Sequence, residues 1–280
     1  MSEKVMSDCK LIHLSETAST NSWLRNNGTQ DDCVVWTDYQ TAGRGCGTNS
    51  WESERAKNLL FSVLIHPKEV RAADQFILSM ANALALRDTL ACYLEETEGT
   101  TETHAGEWLK IKWPNDIYWK DCKICGTLIE TTLKGPYVKD CIIGTGLNVN
   151  QTRFVSDAPN PVSLRQILEQ QKDTDERGFS DHDIDRHEVL QKVLDHFAAY
   201  MKMVEAGQWE AIRTSYRRHL YRREERHPYR FTDGTVKTCK LINVSDDGHL
   251  ELLHDGGEVC RLAFKEVQFV IPKSRNPEIP

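Results

Sequence analysis

No apolar run in this 280-residue sequence is long enough to cross a membrane, and the first ten residues, which include Glu3 and Asp8, have no apolar stretch of signal-peptide length. The expected location is the cytoplasm. A basic excess is also lacking: 35 Lys and Arg against 42 Asp and Glu leave a net charge of −7, which excludes a general, electrostatically driven nucleic-acid binder. The nine cysteines have no regular spacing, so a secreted disulfide framework is excluded and reduced core thiols are expected. No internal repeat or low-complexity tract stands out. The remaining balance, 39 % hydrophobic and 28 % charged residues, is that of a chain that folds around a core.

At about 150 residues per domain the length allows one large domain or two unequal ones. Runs at 33–39, 58–65, 108–113, 124–133 and 141–147 read as buried strands. Between them, 74–94 sets Phe76, Met80, Ala83, Leu84, Leu90 and Leu94 in a helical stripe, with Asp74 at the N-terminal end where a carboxylate is favoured. This alternation predicts an α/β (α+β) layer. The segment 95–107 holds five glutamates and no aliphatic residue larger than Ala, and reads as a solvated loop. After a turn at 158–161, Ser163 caps a short helix. Val189, Val193, Phe197, Met201 and Val204 mark a longer helix, and Trp209, Ile212, Tyr216 and Leu220 a last one. Arg217, Arg218, Arg222, Arg223 and Arg226 crowd its end, as a solvated face suited to the helix dipole or a docking face for an acidic partner. From Pro228, Asp233-Gly234, Asp247-Gly248 and Asp255-Gly256 punctuate short alternating runs, the grammar of a hairpin meander. The expected division is 1–226 and 227–280.

Four segments carry candidate chemistry. Gly43-Arg44-Gly45-Cys46-Gly47 follows a strand, and its glycines permit close backbone approach. It matches neither a dinucleotide fingerprint nor a P-loop, and stands between an ordinary turn and a loop that, with Arg44 and Trp51, folds over something flat and anionic. Lys112-Trp113-Pro114-Asn115-Asp116 lies at a strand end, and Lys123-Ile124-Cys125-Gly126 opens the next strand. Two lysines and an aspartate at one end of a hairpin suit a phosphate, a carboxylate and a Mg2+ ion; the bland alternative is a turn with solvated lysines. Cys122 and Cys125 form a C-x-x-C pair without a second pair or a histidine to support zinc. Gly144-x-Gly146-x-Asn148 ends a buried strand, and Ser19-Thr20-Asn21 stands where a helix cap belongs.

In this order, Ser19-Thr20-Asn21, Gln40 with the glycine loop and Trp51, Lys-Trp-Pro-Asn-Asp, Lys123-x-x-Gly126 and Gly-x-Gly-x-Asn together resemble the biotin protein ligase family over about residues 11–270. The resemblance implies a mixed sheet flanked by helices, related to class II aminoacyl-tRNA synthetases, with a small C-terminal SH3-like β-barrel. It implies ATP and biotin as substrates, Mg2+, a carrier domain of an acyl-CoA carboxylase as partner, and a monomer or homodimer. By the same resemblance, Ser19, Thr20, Asn21, Gln40, Gly126 and the loop Gly43, Arg44, Gly45 and Cys46 would line the biotin pocket, and Lys123 would hold its carboxylate. Arg44 and Lys112 would face the phosphates, Asp116 the metal, and Asn115 and Asn148 the adenylate, while Trp51 closes the loop. Some family members carry an N-terminal DNA-binding domain; here the pattern starts near Ile12, so no DNA-binding role is expected. A lipoate or octanoate transferase of the same superfamily is the nearest alternative, although its Arg-Arg-x-x-Gly-Gly-Gly signature is missing. A catalytically weak biotin-binding protein is the other.

The chemistry asks for such residues on its own terms. A carboxylate attacking a phosphate brings two anions together, so cations must offset the repulsion as charge grows toward pyrophosphate. The resulting anhydride must then be shielded from water, which a closing loop supplies. Two positions depart from the family pattern: Cys46 stands where a basic residue is common, and Thr48 where a glycine is usual. A charge-assisted hydrogen bond is worth about 1.5–3 kcal/mol, so its loss weakens retention of the adenylate on the order of ten- to a hundredfold. The expected result is leakage: the wild type labels lysines of an unrelated protein such as albumin faster than Cys46→Arg does. Equal labelling would show that another cation, such as Arg55 or Lys57, compensates.

Overall fold

The run Leu59–Ile65, Leu-Leu-Phe-Ser-Val-Leu-Ile, carries apolar side chains on both faces, as a strand covered on both sides must. In the computed structural model, which describes residues 9–28, 30–45, 47, 50–95, 105–155, 160–172 and 182–272, all seven of these residues are buried. They form β3 of a mixed sheet with β1 (Lys10–Leu14), β2 (Cys33–Thr37), β4 (Leu109–Lys112), β5 (Asp116–Trp119), β6 (Cys122–Lys134) and β7 (Tyr137–Leu147). The order is β1-β2-β3-β7-β6-β5-β4; β1 and β2 are parallel and every other neighbouring pair is antiparallel.

The two faces are covered differently. On one lies α2 (Phe76–Glu95), backed by α4 (Arg186–Glu205) and α5 (Trp209–Arg218). Sandwiched in this way, α2 is buried along most of its length, Ser79 and Asn82 included. Val34, Phe61, Val63 and Ile143 face this main core, while Cys33, Val35, Leu64 and Ile142 turn to the other face, where Leu24 of α1 (Thr20–Asn27) covers them. Each fully buried Leu, Ile or Phe contributes about 1.5–3 kcal/mol, so the arrangement fixes the register of β3 and β7 on which the site is built. Beyond the sheet, α3 (Leu164–Lys172) starts on the expected cap: Ser163 Oγ accepts from Gln166 N at 3.3 Å and Ser163 N donates to Gln166 Oε1 at 3.0 Å.

A second, antiparallel sheet follows, built from β8 (Arg226–Phe231), β9 (Val236–Val244), β10 (Leu250–Leu253), β11 (Val259–Leu262) and β12 (Val267–Phe269) in the order β11-β10-β9-β8-β12. Its turn at Gly248 is seated on the start of α2. With φ at 91° the backbone needs glycine, and a Cβ there would lie 2.7 Å from the Phe76 ring. The mixed sheet flanked by helices, with a small β unit after it, is the architecture that the sequence predicts.

Three expectations are corrected. The loop expected at 95–107 begins as helix, since α2 includes Glu95, and ends as a short 3-10 turn, Ala105–Trp108; residues 96–104 lie outside the described residues. The arginines at the end of α5 are not a uniformly solvated face. Arg222 is only 7 % exposed, Arg217 reaches Asp246 at 2.5 Å and the Val244 carbonyl at 3.1 Å, and Arg226 pairs with Asp255, so they tie the last helix and its exit to the second sheet. Finally, β1 and β5 have no counterpart among the expected strands of the first 150 residues.

Candidate active site

The start of α1 supplies a polar floor under the sheet. Ser19 is the helix cap, its Oγ accepting from Ser22 N at 3.5 Å. The next two side chains turn inward. Thr20 donates from N (2.8 Å) and Oγ1 (3.1 Å) to Gln40 Oε1. Ser62 Oγ of β3 lies 2.6 Å from both Thr20 Oγ1 and Asn21 Oδ1. Asn21 Nδ2 donates to Glu130 Oε2 at 2.9 Å and to the Leu128 carbonyl at 3.3 Å. Thr20, Asn21 and Ser62 are all buried, so hydrogen bonding offsets a desolvation cost that would otherwise be about 1–3 kcal/mol for each group. Gly144 makes this approach possible, because a Cβ there would sit 2.0 Å from Asn21 Oδ1.

The Trp51 indole lies across this floor. A Cβ on Gly146 would be 2.3 Å from Trp51 Cε2, and one on Gly126 would be 2.8 Å from Trp51 Cζ3. A Cβ on Gly43 would be 3.0 Å from the Trp51 carbonyl oxygen. The indole therefore accounts for glycine in two separate motifs, and the Trp51 backbone crowds the third. Trp51 N donates to the Gly43 carbonyl at 3.0 Å, closing the base of the glycine loop. Past Trp51 the loop is anchored by Gln151, whose Oε1 accepts from Glu54 N (2.9 Å) and Asn58 Nδ2 (2.7 Å). Of the loop itself, Arg44 is placed 3.4 Å from Ser22 Oγ and 3.7 Å from Glu130, on the α1 side. Cys46 and Thr48 lie outside the described residues, so their expected roles do too. The two cations that the sequence offers as compensation are engaged: Arg55 with Glu16 and Lys57 with Asp183.

At the other end of Lys123 stands the β4–β5 hairpin. Lys112 and Asp116 are its cross-strand pair, and Lys123 Nζ lies 2.7 Å from Asp116 Oδ2 and 5.7 Å from the Trp51 ring. Lys123 thus joins the floor under Trp51 to the hairpin. Burial holds the Lys112 ammonium below the usual lysine range, opposed by Asp116 and reinforced by Lys123 and Arg222. The turn between them is bolted down. Trp113 is buried and donates from Nε1 to the Gly248 carbonyl at 2.9 Å, Tyr216 OH donates to the Pro114 carbonyl at 2.7 Å, and Asn115 Nδ2 donates to Ser79 Oγ at 3.3 Å. Asn148, 3 % exposed, spends Nδ2 on the Val162 carbonyl at 3.0 Å, while its Oδ1 has no partner among the described residues.

The structure therefore brings together Thr20, Asn21, Gln40, Gly43, Trp51, Gly126 and Lys123, and joins Lys112 and Asp116 to them through Lys123. It sets Arg44 beside Glu130, apart from the hairpin contacts, and gives Asn115 a bond to α2. The sequence pattern of the biotin/lipoate A/B protein ligase family matches residues 12–148, which span this whole site from α1 to Asn148. Over these residues the chain is similar to that family.

Among similar curated proteins, the Bacillus subtilis protein named bifunctional ligase/repressor BirA is 32 % identical over 196 residues, covering 68 % of this chain and 53 % of the relative. The chain spans about half the length of the first curated relatives it matches. The Paracoccus denitrificans biotin--[acetyl-CoA-carboxylase] ligase is 27 % identical over 84 % of this chain and 90 % of its own length. Among solved structures, the biotin protein ligase from Aquifex aeolicus in complex with biotin and ATP aligns with a TM-score of 0.70 at 25 % identity, over 94 % of this chain and 99 % of that one.

Sequence reasoning missed several members of the site. Ser62 was hidden inside an apolar strand, where a lone hydroxyl is the only signal. Glu130, a single carboxylate in an apolar and Thr-rich strand, holds Asn21, Arg25 and Arg44.

The C-x-x-C thiols are distant from any such task. Burial raises Cys122 to about 11 and pushes Cys125 well above the usual thiol range, so both remain protonated near neutral pH. No helix among the described residues is long and apolar enough to cross a membrane.

Proposed function

We propose that this protein is an ATP-dependent biotin protein ligase. In the first step an oxygen of the biotin carboxylate attacks the α-phosphorus of ATP. The bond from that phosphorus to the bridging oxygen breaks, and pyrophosphate leaves biotinyl-5'-AMP behind. In the second, the neutral amine of a lysine on a carboxylase biotin carrier domain attacks the anhydride carbonyl, and AMP departs. The observation that carries this reading is Lys123, which reaches from the Trp51-covered floor to Asp116 and so places a carboxylate-binding cation between a ring pocket and a phosphate-directed hairpin.

Each residue follows from its place. Thr20, Asn21, Ser62 and Gln40 present hydroxyls and amides to a ring that both donates and accepts, as the ureido ring does. The dithiolane of lipoate has neither function, which favours biotin over the superfamily alternative. Lys112 neutralises phosphate charge, and the open Oδ1 of Asn148 accepts a donor from the adenylate. Arg44, half-exposed and only loosely paired with Glu130, is available to an anion. The fit to Mg2+ is limited. No three His, Cys, Asp or Glu side chains gather into a metal cage among the described residues, and Asp116 is already paired with Lys123. One carboxylate suits a Mg2+ ion that arrives on the nucleotide and keeps most of its other ligands there; when bound, it would add neutralising charge at the phosphates.

The test is transfer. With Mg2+, ATP and biotin, a purified biotin carrier domain is expected to gain the mass of one biotinyl group at a single lysine. An unmodified carrier, or equal modification with lipoate, would contradict the assignment.

A further inference from the structure

Lys112 is enclosed by rings from two parts of the chain. Its Nζ lies 5.5 Å from the ring of Tyr118 in β5 and 4.9 Å from the ring of Phe269, the last residue of β12 in the second sheet. Phe269 is itself held in place. Its ring packs edge-on to Tyr229 at 5.0 Å and lies 6.1 Å from Tyr221, and its backbone pairs with Tyr229. The next carbonyl, that of Val270, accepts from the buried Arg222 at 3.1 Å, and the Arg222 guanidinium stacks 4.8 Å over Tyr221. The exit from α5 and the end of β12 are therefore clamped together beside the lysine.

From this geometry we infer that Phe269 is a positioning residue for Lys112, so that the second sheet supplies part of the ATP-binding apparatus. The inference rests on the ATP half of the reading given above. Around Lys112 the charges do not balance among the described residues, because Lys123 and Arg222 repel it while Asp116 attracts it. A lysine stem in such surroundings swings toward solvent unless something favourable holds it. Two aromatic faces supply that hold without using up the positive charge, since a ring attracts a cation yet leaves it free to meet a phosphate. A carboxylate in the place of Phe269 would hold the ammonium as firmly and would repel the nucleotide.

The test is binding of an ATP analogue with a methylene group in place of the α,β-bridging oxygen, measured by calorimetry with biotin present. Phe269→Leu keeps bulk and loses the π face, and is expected to weaken analogue binding about tenfold, whereas Phe269→Tyr stays within about twofold of wild type. Biotin affinity is expected to stay unchanged in both, and the effect of Phe269→Leu should vanish in a Lys112→Gln background. Unchanged binding in Phe269→Leu, an equal loss in the Lys112→Gln background, or a parallel loss of biotin affinity would each overturn the inference. A wild type that binds the analogue but releases no pyrophosphate with biotin would remove the ligase reading and leave this one standing. A wild type that binds no analogue removes both.

Discussion

Lys112→Gln is expected to lower biotin-dependent pyrophosphate release by about a hundred- to a thousandfold, the usual loss when one preorganised charge-stabilising group is removed. It is expected to do so without weakening the fold. An ordinary half-buried ion pair would lose stability when one partner is cut away. Here the lysine faces Lys123 and Arg222 as well as Asp116, and desolvation already disfavours its charged form. Removing the charge relieves repulsion, and Asp116 keeps its 2.7 Å partner in Lys123. The melting temperature of Lys112→Gln should therefore equal or exceed that of the wild type, and biotin affinity should stay within about twofold, because the Lys112 ammonium lies against the Tyr118 and Phe269 rings while Lys123 serves the floor under Trp51. A variant that loses activity and stability together would show that Lys112 is structural.

Gly146→Ala carries the second large effect. The added methyl would sit 2.3 Å from Trp51 Cε2 and 2.5 Å from Nε1, inside any permitted contact, so the indole must leave its seat. Overpacking of this kind costs about 1–3 kcal/mol, which becomes roughly a five- to hundredfold loss of biotin affinity when the indole is needed to close over the ring. Because Trp51 is only half-buried and can swing outward, little of that cost should reach global stability. The control is Trp51→Ala. In that background there is no indole to displace, so adding Gly146→Ala should change biotin affinity no further. An additional loss in the double variant would mean that Gly146 serves some purpose other than seating Trp51.

Much of this was legible before the structure, and the reasons differ by element. The β3 run was plain because burial on two sides forces a nearly continuous apolar spelling, and α2 because its large apolar residues recur at helical spacing. The gathering of Lys112, Asp116 and Lys123 at one end of a hairpin was legible from their charges at strand ends, but the strand Asp116–Trp119 that pairs Asp116 with Lys112 was not. β1 was not, since Lys10–Leu14 is an edge strand whose residues are mostly exposed, and five residues of mixed polarity carry little periodic signal. The glycine motifs were visible as glycines, but the reason they recur was not. Gly43, Gly126 and Gly146 are far apart in sequence and share only their approach to Trp51. Arg222 was misread because arginines in series look solvated. Its burial is imposed by the second sheet, through the Val270 carbonyl and the Tyr221 ring, neither of which leaves a trace at position 222. Phe269 is the extreme case: nothing local marks it, and only the folded contact shows that it stands over Lys112.

The most direct measurement is release of pyrophosphate from ATP and Mg2+ with biotin, with lipoate and with neither, before any carrier protein is added. Release that requires biotin, is absent with lipoate, and collapses in Lys112→Gln while biotin still binds is the predicted result. Release driven by lipoate instead, or none under any condition while biotin binds tightly, would contradict the account.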